Sequence, residues 1–382
     1  MRKKILFCAT VDYHFKAFHL PIMRWFKEQG WEVHIAAAGD IILPYTDEKI
    51  NIPIQRSPFR KENYAAYKQL RKVIDKNNYQ IVHCHTPMGG VLGRLAARTT
   101  RKKGTKVLYT AHGFHFCKGA PLKNWILYYP IEKWLAQLTD RLITINTEDF
   151  NLASTKLQAS INHVHGIGID TDKFKPIPNL KKINLRKELN IEQDRFIMFY
   201  AAEFNGNKNQ RLIIEALANI KDYLPNAKLL LAGEGPLMSS CKDLAKNLHV
   251  DHMIDFLGYR RDIVNLLGIS DIAVASSLRE GLPVNIMEAM SSGLPIIATH
   301  NRGHKELIFN NSNGWLVNND PKEFSEKIVN LAANRHLIPE LGEKGRQLII
   351  EKYSLRKVLE EQSKIYSEII KSEKEQLTWA AH

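Results

Sequence analysis

Residues 271–300 read DIAVASSLREGLPVNIMEAMSSGLPIIATH, and the fold is decided there. DIAVASS opens on a short apolar run that suits a buried strand, and LPIIATH carries another. Between them LREGLP turns the chain, and a helical pattern starts near Pro283. A strand, a helix and a second strand, neither strand alternating polar with apolar, make a βαβ unit. Such a unit needs a parallel sheet covered by helices on both faces.

The same texture repeats outward. RFIMFYAA, AKLLLAG and MIDFLG read as strands of the same half, with helices from near Asn209, Pro236 and Asp262. The first half is built alike. KILFCAT, EVHIAAA, QIVHCH, KVLYTAH and RLITIN are its strands, and helical stretches follow from Lys16, Asn63, Met88, Pro121 and Thr147. Two Rossmann-like α/β units in tandem result. Their boundary falls in HVHGIGIDTDKFKPIPN, where Gly166, Gly168, Pro176 and Pro178 break regular structure. This assigns residues 1–170 to a first domain and 171–354 to a second. Residues 355–382 follow as a helix with Leu355, Val358, Leu359, Ile365, Tyr366, Ile369 and Ile370 on one stripe. That helix is expected to dock across the groove between the domains, and the tail EKEQLTWAAH to fray.

Composition narrows the class. Of 382 residues, 44 % are hydrophobic and 25 % charged, which excludes a mostly disordered chain. No stretch approaches the roughly 20 apolar residues that span a bilayer. The opening MRKKILFCATVDYHF lacks the long apolar core and cleavage site of a secretory signal. Cys8, Cys84, Cys117 and Cys241 are scattered without zinc or disulfide spacing, so free thiols in the cytoplasm are expected. The net charge of +14 is uneven: residues 1–170 hold 25 Lys and Arg against 13 Asp and Glu, the remainder 29 against 27. That asymmetry suits an anionic partner such as lipid, a phosphorylated substrate or nucleic acid. Arg60, Lys61, Lys68, Arg71, Lys72 and Lys76 flank one helix within 59–76, either as a solvated face or as a peripheral contact with an anionic membrane surface.

In open α/β sheets ligands bind beyond the carboxyl ends of the strands. After FYAA comes EFNGNKNQ, with Lys208 at a helix entrance where an ammonium and backbone N–H groups can face a phosphate. After LLLAG comes Glu234-Gly235-Pro236, a tight turn. After VASS, Glu280 falls in the loop and Glu288 about a turn and a half into the helix. Two carboxylates for hydroxyls and a helix end for phosphate describe a site for a nucleotide sugar. An acid complementing the helix dipole and an ordinary helical glutamate would give the same pattern.

The ordered set DYHFKAFHLP, HCHTPMGG, YTAHGFHF, HGIGIDTDKF, NGNKNQ, AGEGPL, FLGYRRD, SSLREGLPVNIMEAMSSGLP and NGWLV resembles, nearly end to end, the retaining GT-B glycosyltransferases of family 4. The likeness is to the bacterial group that builds exopolysaccharides and capsules. It implies a GT-B architecture, two Rossmann-like domains facing a central cleft. It also implies roles: Glu288 on the donor ribose, Glu280 on the donor sugar near the reacting carbon, and Lys208 on the diphosphate. Backbone N–H groups near Gly281 and Leu282 would join Lys208, Gly233 and Gly235 would let the backbone close around the nucleotide, and His112 would reach the donor from the first domain. The implied substrates are a nucleotide-sugar donor, preferably a UDP-sugar, and an acceptor that is lipid-linked, carried on a polyprenyl diphosphate, or a polysaccharide. Neither a cofactor nor a nucleic-acid partner is expected, and no metal.

Two positions depart from the family pattern. Glu203 stands where the family has an Arg five residues before the diphosphate Lys, leaving Arg279, Arg302 or Lys208 alone to meet the diphosphate charge. Phe15, Lys16, Ala17 and Phe18 replace the usual glycine pair after the first strand, so Phe15, Lys16 and His19 are the acceptor-side candidates. His83, His85, His112 and His115 suggest a metal cluster, and a His-x-His strand does put two rings on one face. No further ligand has convincing spacing, so structural or substrate contacts are the better expectation. Phe114, Phe116, Trp125, Tyr128, Tyr129 and Trp134 are read as core and cleft wall. Competing readings are a nucleotide-sugar epimerase and a non-catalytic nucleotide-sugar-binding relative. A nicotinamide oxidoreductase would need a G-x-G-x-x-G after the first strand, and there is none.

Overall fold

The computed structural model describes residues 2–379. The chain divides into one unit made of Met1–Ile167 and Arg356–His382 and another made of Gly168–Leu355. The first carries β1 (Lys4–Val11), β2 (Glu32–Ala38), β3 (Glu48–Asn51), β4 (Ile81–His85), β5 (Lys106–Ala111), β6 (Arg141–Thr144) and β7 (Ser160–His163). These pair in parallel in the order β3-β2-β1-β4-β5-β6-β7. The second carries β8 (Phe196–Ala201), β9 (Ala227–Ala232), β10 (Ile254–Gly258), β11 (Ile272–Ala275), β12 (Ile296–Thr299) and β13 (Gly314–Val317). Their order is β10-β9-β8-β11-β12-β13, again all parallel. In each unit the chain starts mid-sheet, runs to one edge and crosses back. The reversal points lie between β1 and β4 and between β8 and β11, where a crevice opens beyond the strand ends.

The absence of alternation in the strands now has its cause. Ile5, Phe7 and Ala9 of β1 enter one core, and Leu6 and Cys8 enter the other, so both faces are buried. The edge strands β3 (EKIN), β7 (SINH) and β13 (GWLV) escape the sequence reading. Each has four residues, too few to show a period, and the first two are polar as solvated edges are.

The helix Leu355–Trp379 returns the chain to the first unit from Arg356 onward. Val358, Ile365, Tyr366 and Ile369 are buried with Phe7, Phe26 and Ile143 in the first unit's own core. Its Tyr366 hydroxyl lies 2.5 Å from His83 Nδ1. Of the tail expected to fray, residues 380–382 lie outside the described residues.

The HCHTPMGG landmark is explained by packing. A side chain at Gly93 would sit 2.4 Å from Cys84 Sγ, and one at Gly89 would sit 2.8 Å from Ala9 Cα, so the helix Pro87–Ala96 presses directly onto the sheet. Arg94, on that helix, is fully buried. It meets Glu132 of the helix Leu122–Ala136 at 2.5 and 3.0 Å and lies 4.0 Å from the Tyr109 ring centre.

Candidate functional site

At the reversal point of the second unit, the loops after β8 and β11 are stitched to each other. Asn207 accepts from Leu278 N–H through its carbonyl at 2.8 Å, and its side-chain amide donates to the Arg279 carbonyl at 3.0 Å. Ser276 Oγ donates to the Lys208 carbonyl at 2.8 Å, and the Tyr200 hydroxyl to the same carbonyl at 3.1 Å. This buried polar bracing puts the Lys208 ammonium 2.5 Å from Glu280 Oε1, with both side chains only partly exposed. Lys208 and Glu280 are thus brought together, the cation paired until an anion competes for it. The Arg302 Nε donates to the Glu280 carbonyl at 3.1 Å, and Gly303 packs so tightly on Glu280 that a Cβ would fall 2.7 Å from its own. Ser277, Thr299 and Asn301 complete the bracing, since both of the latter donate to the Ser277 carbonyl. Sequence reasoning missed these; short polar side chains after strands carry no distinguishing pattern.

Gly281, Leu282 and the extended Pro283 lead into the helix Val284–Ser291, whose first N–H groups receive no side-chain cap. A ready anion site results. Glu288 stands further along this helix. Burial pushes its carboxyl up to about 7, with the Lys173 ammonium opposing, and the carboxylate has no hydrogen-bond partner among the described residues. Glu203 is exposed and forms no ion pair among the described residues, so it does not hold Lys208. The two glycines answer to the chain itself. A Cβ at Gly233 would lie 2.1 Å from the Ala202 carbonyl oxygen and one at Gly235 2.4 Å from that of Phe204. Their absent side chains admit the loop after β8.

The first unit gathers a different set at its reversal point. Phe15 is fully buried against Phe7, which corrects its acceptor-side assignment: the helix Tyr13–Phe18 turns that ring into the core. Lys16 is exposed. His19 is buried, its Nε2 3.0 Å from that of His14, and His112 Nε2 lies 3.5 Å from His85 Nδ1. His14, absent from the sequence-level candidates, joins His19, His85 and His112 because the loop after β1 folds over the ends of β4 and β5. His115 turns away to pack on Tyr128. Beside the cluster runs an apolar groove of about 600 Å³, lined by Tyr13, His14, Phe18, Phe59, Tyr128 and Ile131 among others. Thr86, at its floor, holds φ of 60°, a strained value for a β-branched residue, and is fixed by Thr10, whose N–H donates to Thr86 Oγ1 at 3.0 Å.

Comparisons bear on these two sites. The family described as Glycosyl transferases group 1 matches residues 181–348, and that described as Glycosyl transferase 4-like matches residues 4–146. The Bacillus subtilis protein named as glycosyltransferase EpsD is 51 % identical over 371 residues, 96 % of this chain and 97 % of the relative. The Escherichia coli UDP-Gal:alpha-D-GlcNAc-diphosphoundecaprenol alpha-1,3-galactosyltransferase is 29 % identical over 307 residues, 79 % of this chain and 78 % of the relative. Among solved structures, Anabaena Alr3699/HepE in complex with UDP and glucose matches with a TM-score of 0.79 at 17 % identity, over 96 % of this chain and 100 % of that one. That last likeness speaks for the fold alone. Two parallel α/β units, a braced Lys-Glu pair at a strand-end crevice and a near-full-length relative agree: the chain belongs to the glycosyltransferases of the GT-B, family 4 type.

Proposed function

We propose that the protein transfers a sugar from a UDP-sugar to an acceptor on a polyprenyl diphosphate, with retention of configuration, in exopolysaccharide or capsule synthesis. The observation that carries this reading is the Lys208–Glu280 pair at the mouth of an uncapped helix, with Glu288 further along it. An incoming diphosphate competes with Glu280 for the ammonium and takes the free N–H groups near Gly281 and Leu282. Glu280 is then released to accept from donor-sugar hydroxyls, and Glu288 accepts from the ribose. As the bond from the anomeric carbon to the phosphate oxygen breaks, charge grows on the diphosphate where Lys208 and the helix end already stand. The acceptor oxygen bonds the same face of that carbon, and its proton passes to the departing phosphate oxygen. No step of this scheme draws on a metal.

The acceptor assignment draws support from the first unit. Its groove is apolar, and next to it Phe59 is 82 % exposed, Leu122 74 % and Ile126 69 %. Arg60, Lys61, Lys68, Arg71, Lys72 and Lys76 all reach solvent on or beside the helix Glu62–Asn77. Exposed apolar side chains beside a basic face suit an anionic membrane surface at the cytoplasmic side, where a lipid-borne acceptor would be met. The relative from Escherichia coli is named for a diphosphoundecaprenol acceptor, which agrees with this reading. The test is transfer of labelled sugar from a panel of UDP- and GDP-sugars to synthetic polyprenyl-diphosphate sugars, with the product's anomeric coupling read by NMR. An inverted product, or transfer only from GDP-sugars, would overturn the corresponding part.

A further inference from the structure

We propose that His14, His19, His85 and His112 form a binding site in the first unit for one divalent transition ion of the zinc class. One ring nitrogen from each lies within 4.8 Å of all the others. Two pairs stand at 3.0 Å (His14 to His19) and 3.5 Å (His85 to His112). A tetrahedral zinc ion with Zn–N bonds of about 2.0–2.1 Å needs nitrogens about 3.3–3.4 Å apart, so one pair is already close to that spacing and the widest must contract.

Two observations separate this cluster from ordinary core histidines. His85 is 1 % exposed, and its Nε2, the ring nitrogen other than the Nδ1 that faces His112, has no hydrogen-bond partner among the described residues, so hydrogen bonds do not fix this ring as they fix a satisfied core histidine. Its neighbour His83 shows the satisfied alternative, with Nδ1 on the Tyr366 hydroxyl and Nε2 on Thr110 Oγ1. His83 is therefore spent, and it lies outside the cluster although it shares a face with His85. Second, His14 also lines the apolar groove, which gives an ion a way in.

Four protein ligands close a tetrahedron, so the ion is structural. It would pin the loop after β1, which carries His14 and His19, to the ends of β4 and β5, which carry His85 and His112. The wall of the groove would then be held by metal ligation.

The experiment uses untagged full-length protein. Metal removed by chelation is replaced with Zn²⁺ or Co²⁺ alone, followed by elemental analysis, visible spectroscopy and thermal melting. One equivalent of zinc should be retained through gel filtration, and Co²⁺ should give the intense ligand-field bands of four-coordinate nitrogen ligation. Excess Zn²⁺ should raise Tm by several degrees. His19→Ala and His14→Gln should each lose the cobalt bands while keeping the far-ultraviolet dichroism of the metal-free native protein. His115→Ala should keep them. Weak six-coordinate cobalt bands in the native protein, sub-stoichiometric zinc, or four-coordinate bands that persist in both His14 and His19 variants would each overturn the proposal.

Discussion

Donor affinity should depend on pH through Glu288. Burial holds this carboxyl at about 7 in the free protein, against an ordinary 4.5. About half the molecules therefore carry its proton at neutrality. Ribose hydroxyls donating to the carboxylate favour the ionised form, so binding expels that proton. Affinity then rises with pH through 7 and levels off above it; between pH 8 and pH 6 it should fall about tenfold. A UDP-sugar is the right probe, because its diphosphate is esterified at both ends and has no oxygen titrating near neutrality. Calorimetry in two buffers of different ionisation enthalpy should count about half a proton released per donor bound at pH 7. Glu288→Gln should bind about 1.5–3 kcal/mol more weakly at pH 8 and without the slope. The same variant should be the more stable free protein at high pH. A raised carboxyl stabilises the fold below its unfolded value and loses that contribution as pH climbs from 4.5 through 7. The difference corresponds to about 3 kcal/mol, which the amide does not lose. Native affinity that is flat with pH and without proton release would refute the placement of the ribose. So would a slope that survives in the Gln variant.

Lys208→Ala should cut turnover by about 10²–10³-fold, measured by single-turnover transfer, while Tm moves by only a few degrees, because in the proposed scheme the ammonium acts on the leaving group and not on a core. Glu203→Arg breaks no ion pair among the described residues and adds a cation beside the proposed diphosphate site, so KM for the UDP-sugar should fall; a rise would give Glu203 a role of its own. Glu132→Ala leaves the buried Arg94 guanidinium without its carboxylate and should lower unfolding free energy by about 3–5 kcal/mol in urea titrations. Changing Lys68, Arg71 and Lys72 together to Glu should abolish sedimentation with anionic vesicles at low salt and leave UDP-sugar binding intact. A native protein that ignores such vesicles at every ionic strength would sink the membrane reading.

What could be read from the chain, and what could not, divides by distance. The βα rhythm is local, so the long buried strands and the helices at Asn63, Met88 and Pro283 are visible as runs and periods. Lys208 and Glu280 are visible for the same reason, each standing just past a strand in a loop or helix entrance, and Glu288 follows from its place in the helical pattern after them. The His14–His19–His85–His112 cluster is not, because parallel strands bring loops together that are far apart in sequence, and spacing says nothing about that meeting. Phe15 misled because a loop residue looks exposed until the turn of a short helix sends it inward. Gly233 and Gly235 were legible as tight backbone, but what crowds them is the Ala202 and Phe204 carbonyls, a tertiary fact.

The return of the terminal helix to the first unit sets the order in which the protein can be completed. On the ribosome, Gly168–Leu355 emerges as one uninterrupted stretch and has all its own strands before the final segment is made. The first unit, begun earlier, must wait. Until Val358, Ile365, Tyr366 and Ile369 arrive, Phe7, Phe26 and Ile143 keep an open apolar face and His83 lacks its hydroxyl partner. A nascent chain in that state offers chaperones a defined patch, and a fragment cut at residue 167 would carry the same wound permanently. Anyone wishing to express the first unit alone must therefore splice residues 356–371 back onto it, whereas the second unit can be cut out at both ends.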